Sequence, residues 1–122
     1  MKILIVDDED DIRAISRLAL GRVGGMDVTD AASGRDAIAK AVTEASDAIL
    51  LDVMMPEQDG PETLRLLKSD PRTAHIPVVF LTAKAMASEV ERLRALGAAG
   101  VLTKPFDPMT LAASVRALLG AR

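Results

Sequence analysis

The stretch ILIVDDEDDI, residues 3–12, runs four apolar residues directly into five consecutive acids, Asp7 to Asp11. Like charges crowded together repel, and a carboxylate beside a packed strand is costly to desolvate. The stretch has two readings. One is a solvated turn followed by an acid-rich first helical turn; the other is a cation site at the mouth of a buried strand. What decides between them is the chemistry that the rest of the chain brings to the same place.

Four more short apolar runs follow the first, Lys2–Val6: they lie at Met26–Ala31, Ala48–Leu51, Val78–Leu81 and Gly100–Leu102. Between them the apolar residues fall at helical spacing. Ile12, Ile15, Ala19 and Val23 form one stripe, and Ala37, Ile38, Ala41, Val42 and Ala45 a second. Leu64 and Leu67 outline a third helix that ends before Pro71, Val90 and Leu93 a fourth, and Leu111, Val115, Leu118 and Leu119 a fifth. Ser33 and Asp107 are predicted N-caps, with Pro61 and Pro108 in first helical turns, where a missing N–H is no loss. Gly24-Gly25, Gly97 and Gly120 follow helical stretches as stop signals. Five strands alternating with five helices predict an α/β fold with a mostly parallel sheet covered on both faces. The length favours an open doubly wound sheet over a barrel, which would need eight units.

Composition narrows the function classes. The chain has 122 residues, the length of one domain, and a net charge of −3 without a basic block, so direct nucleic-acid binding is not expected. Aromatic residues are limited to Phe80 and Phe106, too few for base-stacking platforms. The absence of cysteine excludes disulfides and thiolate metal sites, and the single histidine, His75, cannot build a histidine metal site alone. No apolar run is long enough to cross a membrane, and the N-terminus does not read as a signal peptide, so a cytoplasmic domain is expected.

In open α/β sheets, ligands sit outside the carboxyl ends of the strands. There the first run ends in Asp7 and Asp8, the third in Asp52 and the fourth in Thr82, with Lys104 just past the fifth. Three carboxylates a few ångströms apart repel by several kcal/mol at an intermediate dielectric. Lys104 supplies one compensating charge and leaves an excess for a hard divalent ion. An oxygen-only ligand set favours Mg²⁺, with Mn²⁺ possible, and Mg²⁺ commonly completes its shell with phosphate oxygens. Asp52 is then a candidate nucleophile for an acyl phosphate. Each residue alone has a commoner reading as a cap or a solvated charge; the ordered set is harder to obtain by chance.

The motifs ILIVDDE, ILLDVMMPEQDG, VVFLTAKA and GVLTKPFDP, in this order, resemble the receiver domain of two-component response regulators, across residues 1–122. The resemblance implies a flavodoxin-like (βα)5 sandwich of strand order 2-1-3-4-5, an order that flavodoxin shares with a chemotaxis member of the family. It implies that Asp52 accepts a phosphoryl group from a phosphohistidine on a sensor histidine kinase or histidine phosphotransfer protein. Metal ligands would be Asp7, Asp8, Asp52 and the Met54 backbone carbonyl, with Asp7 acting partly through water; Thr82 and Lys104 would contact the phosphoryl oxygens. A cis Lys104–Pro105 bond is also implied. Pro56 and Gly60 would shape the turn after the phosphoacceptor. Met54 and Lys84 occupy positions that tune phosphoryl lifetime in the family, and an apolar Met54 is expected to hinder an attacking water. Where the family often carries Tyr or Phe, three residues before the lysine, this chain has Val101. Its switch is therefore expected to run through the loop after Thr82 and the fourth helix.

Output is expected through a protein target docking on the fourth helix, fifth strand and fifth helix, including Ala85, Met86, Ala87, Ala98 and Ala99. The chain reads either as a single-domain regulator or as a receiver cut from a longer protein, with Met1 leaning toward the first. Two other readings stay open. Asp8-Glu9-Asp10 matches the D-x-D of haloacid-dehalogenase-type phosphatases, with Asp8 as nucleophile. A receiver-shaped interaction module that is never phosphorylated is the other.

Overall fold

The computed structural model describes residues 1–84 and 86–120. Strands β1 (Lys2–Val6), β2 (Asp27–Ala31), β3 (Ala48–Asp52), β4 (Val78–Thr82) and β5 (Gly100–Thr103) form one parallel sheet in the order β2-β1-β3-β4-β5. Helices α1 (Asp10–Arg17), α2 (Gly34–Glu44), α3 (Gly60–Ser69), α4 (Ala87–Ala95) and α5 (Leu111–Leu118) alternate with the strands. This is the doubly wound, flavodoxin-like sandwich expected from the sequence.

The central strands β1, β3 and β4 are apolar between their ends because both of their faces are covered. Alternate residues serve opposite layers, as the two-residue period of a strand requires. Leu4, Val6, Ile49, Leu51, Val78 and Phe80 pack with Ala37, Ala41, Leu64, Leu67 and Leu93 from α2, α3 and α4. Ile3, Ile5, Leu50, Val79 and Leu81 pack on the other face with Ala19, Leu20, Leu111, Ala112 and Val115.

Two local expectations need correction. The stripe predicted for the first helix is only partly its core face: Ala19 is buried and Ile12 half-buried, but Ile15 and Val23 are 41% and 47% exposed, while Ser16 and Leu20, outside the stripe, are buried. After Arg17 the chain continues as a π-helix, Leu18–Val23, whose wider turn shifts the helical phase. Its end also lies close against α5: a Cβ on Gly24 would come within 2.5 Å of the Ala112 Cβ, and Arg116 donates to the Gly24 carbonyl at 2.5 Å. Small side chains therefore line that approach. Secondly, α5 begins at Leu111, not at Pro108. Asp107 caps the turn before it, its carboxylate accepting the Met109 N–H at 2.9 Å. Where α2 ends, Ala45 takes the left-handed conformation (φ 50).

Other boundaries follow their local chemistry. Ser33 accepts the Asp36 N–H at 3.1 Å, and Asp59 caps α3 by accepting the Glu62 N–H at 2.9 Å, with Pro61 in the first turn. Gly97 follows α4 at φ +110. The Lys104–Pro105 bond is cis. No helix among the described residues is long and apolar enough to cross a membrane.

Candidate functional site

The parallel sheet brings the carboxyl ends of β1, β3, β4 and β5 to one edge. Asp52 is the last residue of β3 and Thr82 the last of β4, while Asp7 and Lys104 each stand one residue past their strands. Asp7, Asp52 and Thr82 are buried, and Asp8 is exposed. One carboxylate oxygen from each of Asp7, Asp8 and Asp52 lies within 4.8 Å of the others.

The Lys104 Nζ reaches across this cluster, 2.8 Å from Asp7 Oδ2, 3.2 Å from Asp52 Oδ1 and 3.9 Å from Glu9 Oε1. Burial works against its charge, but the hydrogen bond to Asp7, the charge of Asp7 and then Asp52 outweigh burial and hold the ammonium above its usual range. Asp52 shows the converse. Burial, and secondly the charge of Asp7, push its carboxyl up to about 6, against the pull of Lys104 and a hydrogen bond from the Met54 N–H. One ammonium thus leaves the three acids undercompensated. The donor set is all oxygen, two of the three carboxylates are buried, and their oxygens converge; these residues fit a hard divalent cation.

Asp7 is the most constrained of the three acids. Its N–H donates to the Ala31 carbonyl at 3.2 Å, its Oδ1 accepts the Glu9 N–H at 2.9 Å, and its Oδ2 accepts from Lys104. Its own carbonyl accepts from Arg13 Nη1 at 2.8 Å. Arg13 is absent from the sequence-derived site, because its only sequence signal is an ordinary pairing at i, i+3 with Asp10.

Around this cluster, the Thr82 hydroxyl accepts the Lys84 N–H at 3.0 Å. The Met54 side chain stands out in solvent, 75% exposed. In the turn after Asp52, Glu57 takes the left-handed conformation (φ 66). Gly60 is required for a different reason: a Cβ there would collide with the Asp52 carbonyl oxygen and come within 2.9 Å of Phe80 Cε1. Its bare Cα lets α3 start directly against the residue that ends β3. Val101 is half-buried and packs with the layer of α2, α3 and α4. Of the predicted docking face, Ala85 lies outside the described residues, Met86 and Ala87 are exposed, and Ala98 and Ala99 are half-buried.

Comparison with known proteins identifies the family. The chain is 44% identical over 121 residues to the response regulator PleD of Caulobacter vibrioides, covering 96% of the chain and 26% of that protein. It is 41% identical over 118 residues to the alkaline phosphatase synthesis transcriptional regulatory protein PhoP of Bacillus subtilis, covering 97% of the chain and 48% of that protein. The chain therefore spans about half or less of these two relatives. The chemotaxis protein CheY1 of Helicobacter pylori is 33% identical, with 98% of each chain covered. Among solved structures, the chemotaxis response regulator CheY4 of Vibrio cholerae superposes with a TM-score of 0.89 at 34% identity, over 96% of this chain and 97% of that one. Residues 3–116 match the family described as the response regulator receiver domain, and the chain belongs to that family.

Proposed function

We propose that residues 1–122 act as one phosphoacceptor domain, in which Asp52 takes a phosphoryl group from a phosphohistidine on a sensor histidine kinase or phosphotransfer protein. The observation that carries this reading is the buried Asp52 carboxylate, held 3.2 Å from Lys104 inside an acid cluster that one lysine does not neutralise. An Asp52 oxygen attacks phosphorus, the phosphorus–nitrogen bond breaks, and the imidazole leaves with the bonding pair. The product is an acyl phosphate. Lys104 is placed to neutralise the incoming phosphoryl oxygens, and the Thr82 hydroxyl to hydrogen-bond one of them.

Mg²⁺, or Mn²⁺ in its place, would be held by Asp7, Asp8, Asp52 and the Met54 carbonyl. When bound, it would neutralise charge between the carboxylates and the phosphoryl oxygens. Both carboxylate oxygens of Asp7 already accept hydrogen bonds, which supports its acting partly through water. The domain is a signalling element whose own residues promote transfer and hydrolysis, and it is proposed to work in the cytoplasm. Output passes through protein contact on α4, β5 and α5, without direct nucleic-acid contact by this chain. The name DNA-binding dual master transcriptional regulator belongs to a relative from Synechocystis of which the chain covers 48%.

Val101 has no ring to swing inward, so the activation signal is assigned to the loop after Thr82 and to α4. Backbone amide shifts on phosphorylation should extend through residues 83–95; shifts confined to the Asp52 loop contradict this route. The acceptor reading itself is tested by incubating the protein with magnesium and a small phosphodonor and measuring intact mass. A phosphoryl adduct that disappears in Asp52→Asn supports it. An adduct that depends on Asp8 instead favours a phosphatase of the haloacid-dehalogenase type. No adduct from either a small donor or a cognate kinase leaves an interaction module that is not phosphorylated.

A further inference from the structure

Arg13 makes contacts that an ordinary surface arginine does not. Its side chain is 17% exposed, although its partner Asp10 is 89% exposed. From the second turn of α1 it leans back toward the helix N-terminus, the direction helical side chains favour. There Nη1 donates to the Asp7 carbonyl at 2.8 Å, another guanidinium nitrogen pairs with Asp10, and Nε lies 3.9 Å from Asp30 on β2. The guanidinium is a planar, rigid fork. It therefore ties together the end of β1, the first turn of α1 and the neighbouring strand β2. The segment between the first two of these anchors, Asp8-Glu9, carries the exposed acid of the cluster.

We propose that Arg13 is a positioning residue for the divalent-cation site: it fixes the Asp7–Asp8 peptide plane and thereby the direction in which the Asp8 carboxylate projects. The proposal rests on the metal reading given above. It makes a prediction opposite in sign to simple electrostatics. Removing a positive charge near a cation site should tighten metal binding if charge alone matters. If Arg13 acts through position, its removal weakens binding. Arg17 provides the control: it also pairs with Asp30, at 3.6 Å, and carries the same charge, but its side chain is 47% exposed and no hydrogen bond ties it to Asp7.

The test is Mn²⁺ binding to the full chain, followed by electron paramagnetic resonance of the free ion, at a temperature where every variant is folded. Wild type should show one site that is lost in Asp8→Asn. Arg13→Met should raise its Kd about tenfold, as loss of a supporting group around metal ligands typically does. Arg13→Lys, which keeps the charge without the fork, should give an intermediate rise, and Arg17→Met should bind as wild type or tighter. Should Arg13→Met not fold, Arg13→Lys decides: weaker binding supports the proposal and unchanged binding overturns it. Arg13 variants that bind as tightly as wild type, or more tightly, overturn the positioning role while leaving the metal site intact. A wild type without any site sensitive to Asp8→Asn overturns the metal reading and this inference with it.

Discussion

Replacing Asp52 with asparagine, a neutral side chain of nearly the same shape, should make the metal-free protein more stable at neutral pH, even though it removes the reactive group. The carboxyl of Asp52 is raised from 3.8 to about 6, chiefly by burial and then by the Asp7 charge, so the folded state holds its proton more tightly than the unfolded chain does. Between those two values the native state binds more protons, and stability falls as pH rises. The Asp52 contribution is therefore fully favourable below about pH 4 and is lost by about pH 7, above which the penalty is constant. The difference between 3.8 and about 6, at about 1.4 kcal/mol for each tenfold change in proton affinity, amounts to about 3 kcal/mol. For a domain of this size that corresponds to on the order of 10 °C in Tm.

The assay is urea or thermal unfolding of wild type and Asp52→Asn in a chelator, from pH 4 to pH 8. The stability gap should open between pH 4 and pH 7 in favour of the variant, then level off. Saturating Mg²⁺ should narrow it, because a ligand that binds only the folded wild-type cluster adds to wild-type stability. Equal stabilities at pH 7.5 in chelator, or a gap that does not change with pH, would refute the claim that Asp52 is an uncompensated buried acid.

Other substitutions test the scaffold. Ser16→Ala should stabilise the fold by about 1 kcal/mol, since the Ser16 hydroxyl is buried without a hydrogen-bond partner; a loss of stability in urea unfolding would show that it has one in solution. Gly60→Ala should cost about 1 to 3 kcal/mol and slow phosphoryl acceptance, because its Cβ meets the Asp52 carbonyl and the Phe80 ring. Unchanged acceptance kinetics in that variant would place the start of α3 away from the site. The phosphorylated domain should not be especially short-lived, since Met54 offers no polar group to assist a water; decay within seconds in the isolated protein would contradict this.

Much of the architecture was legible because the relevant signals are local. Five apolar runs, three of them ended by a polar residue, mark the strands to within a residue or so at either end. The chemistry at the strand ends was legible for a related reason: topology places every strand's carboxyl end on one edge, so Asp7, Asp52, Thr82 and Lys104 had to meet there. What escaped the sequence depended on contacts between distant segments. The first helix exposes Ile15 and Val23 because the π-helical turn and the close approach of Gly24 to Ala112 set its rotation, and no periodicity encodes that. Ala45 ends α2 with positive φ where glycine is the usual signal, at a cost in backbone energy that its neighbours must offset. For Arg13 the sequence offers only an i, i+3 spacing to Asp10; its contact with the Asp7 carbonyl depends on the fold.

The opening acids also divide once the fold is known. Asp7 is buried and hydrogen-bonded at every polar atom, and Asp8 joins Asp52 in the cluster. Asp10 and Asp11 occupy the first turn of α1, where the helix dipole favours negative charge.

The most direct test of the phosphoacceptor role is the identity of the modified residue. The protein should be incubated with a phosphohistidine donor and magnesium, the acyl phosphate reduced with borohydride, and the peptides mapped by mass. Reduction converts a phosphorylated aspartate to homoserine, which is predicted at position 52 alone and should be abolished when a chelator is present during the transfer. Homoserine at position 8, or no reducible carboxylate after incubation with a competent donor, would contradict that role.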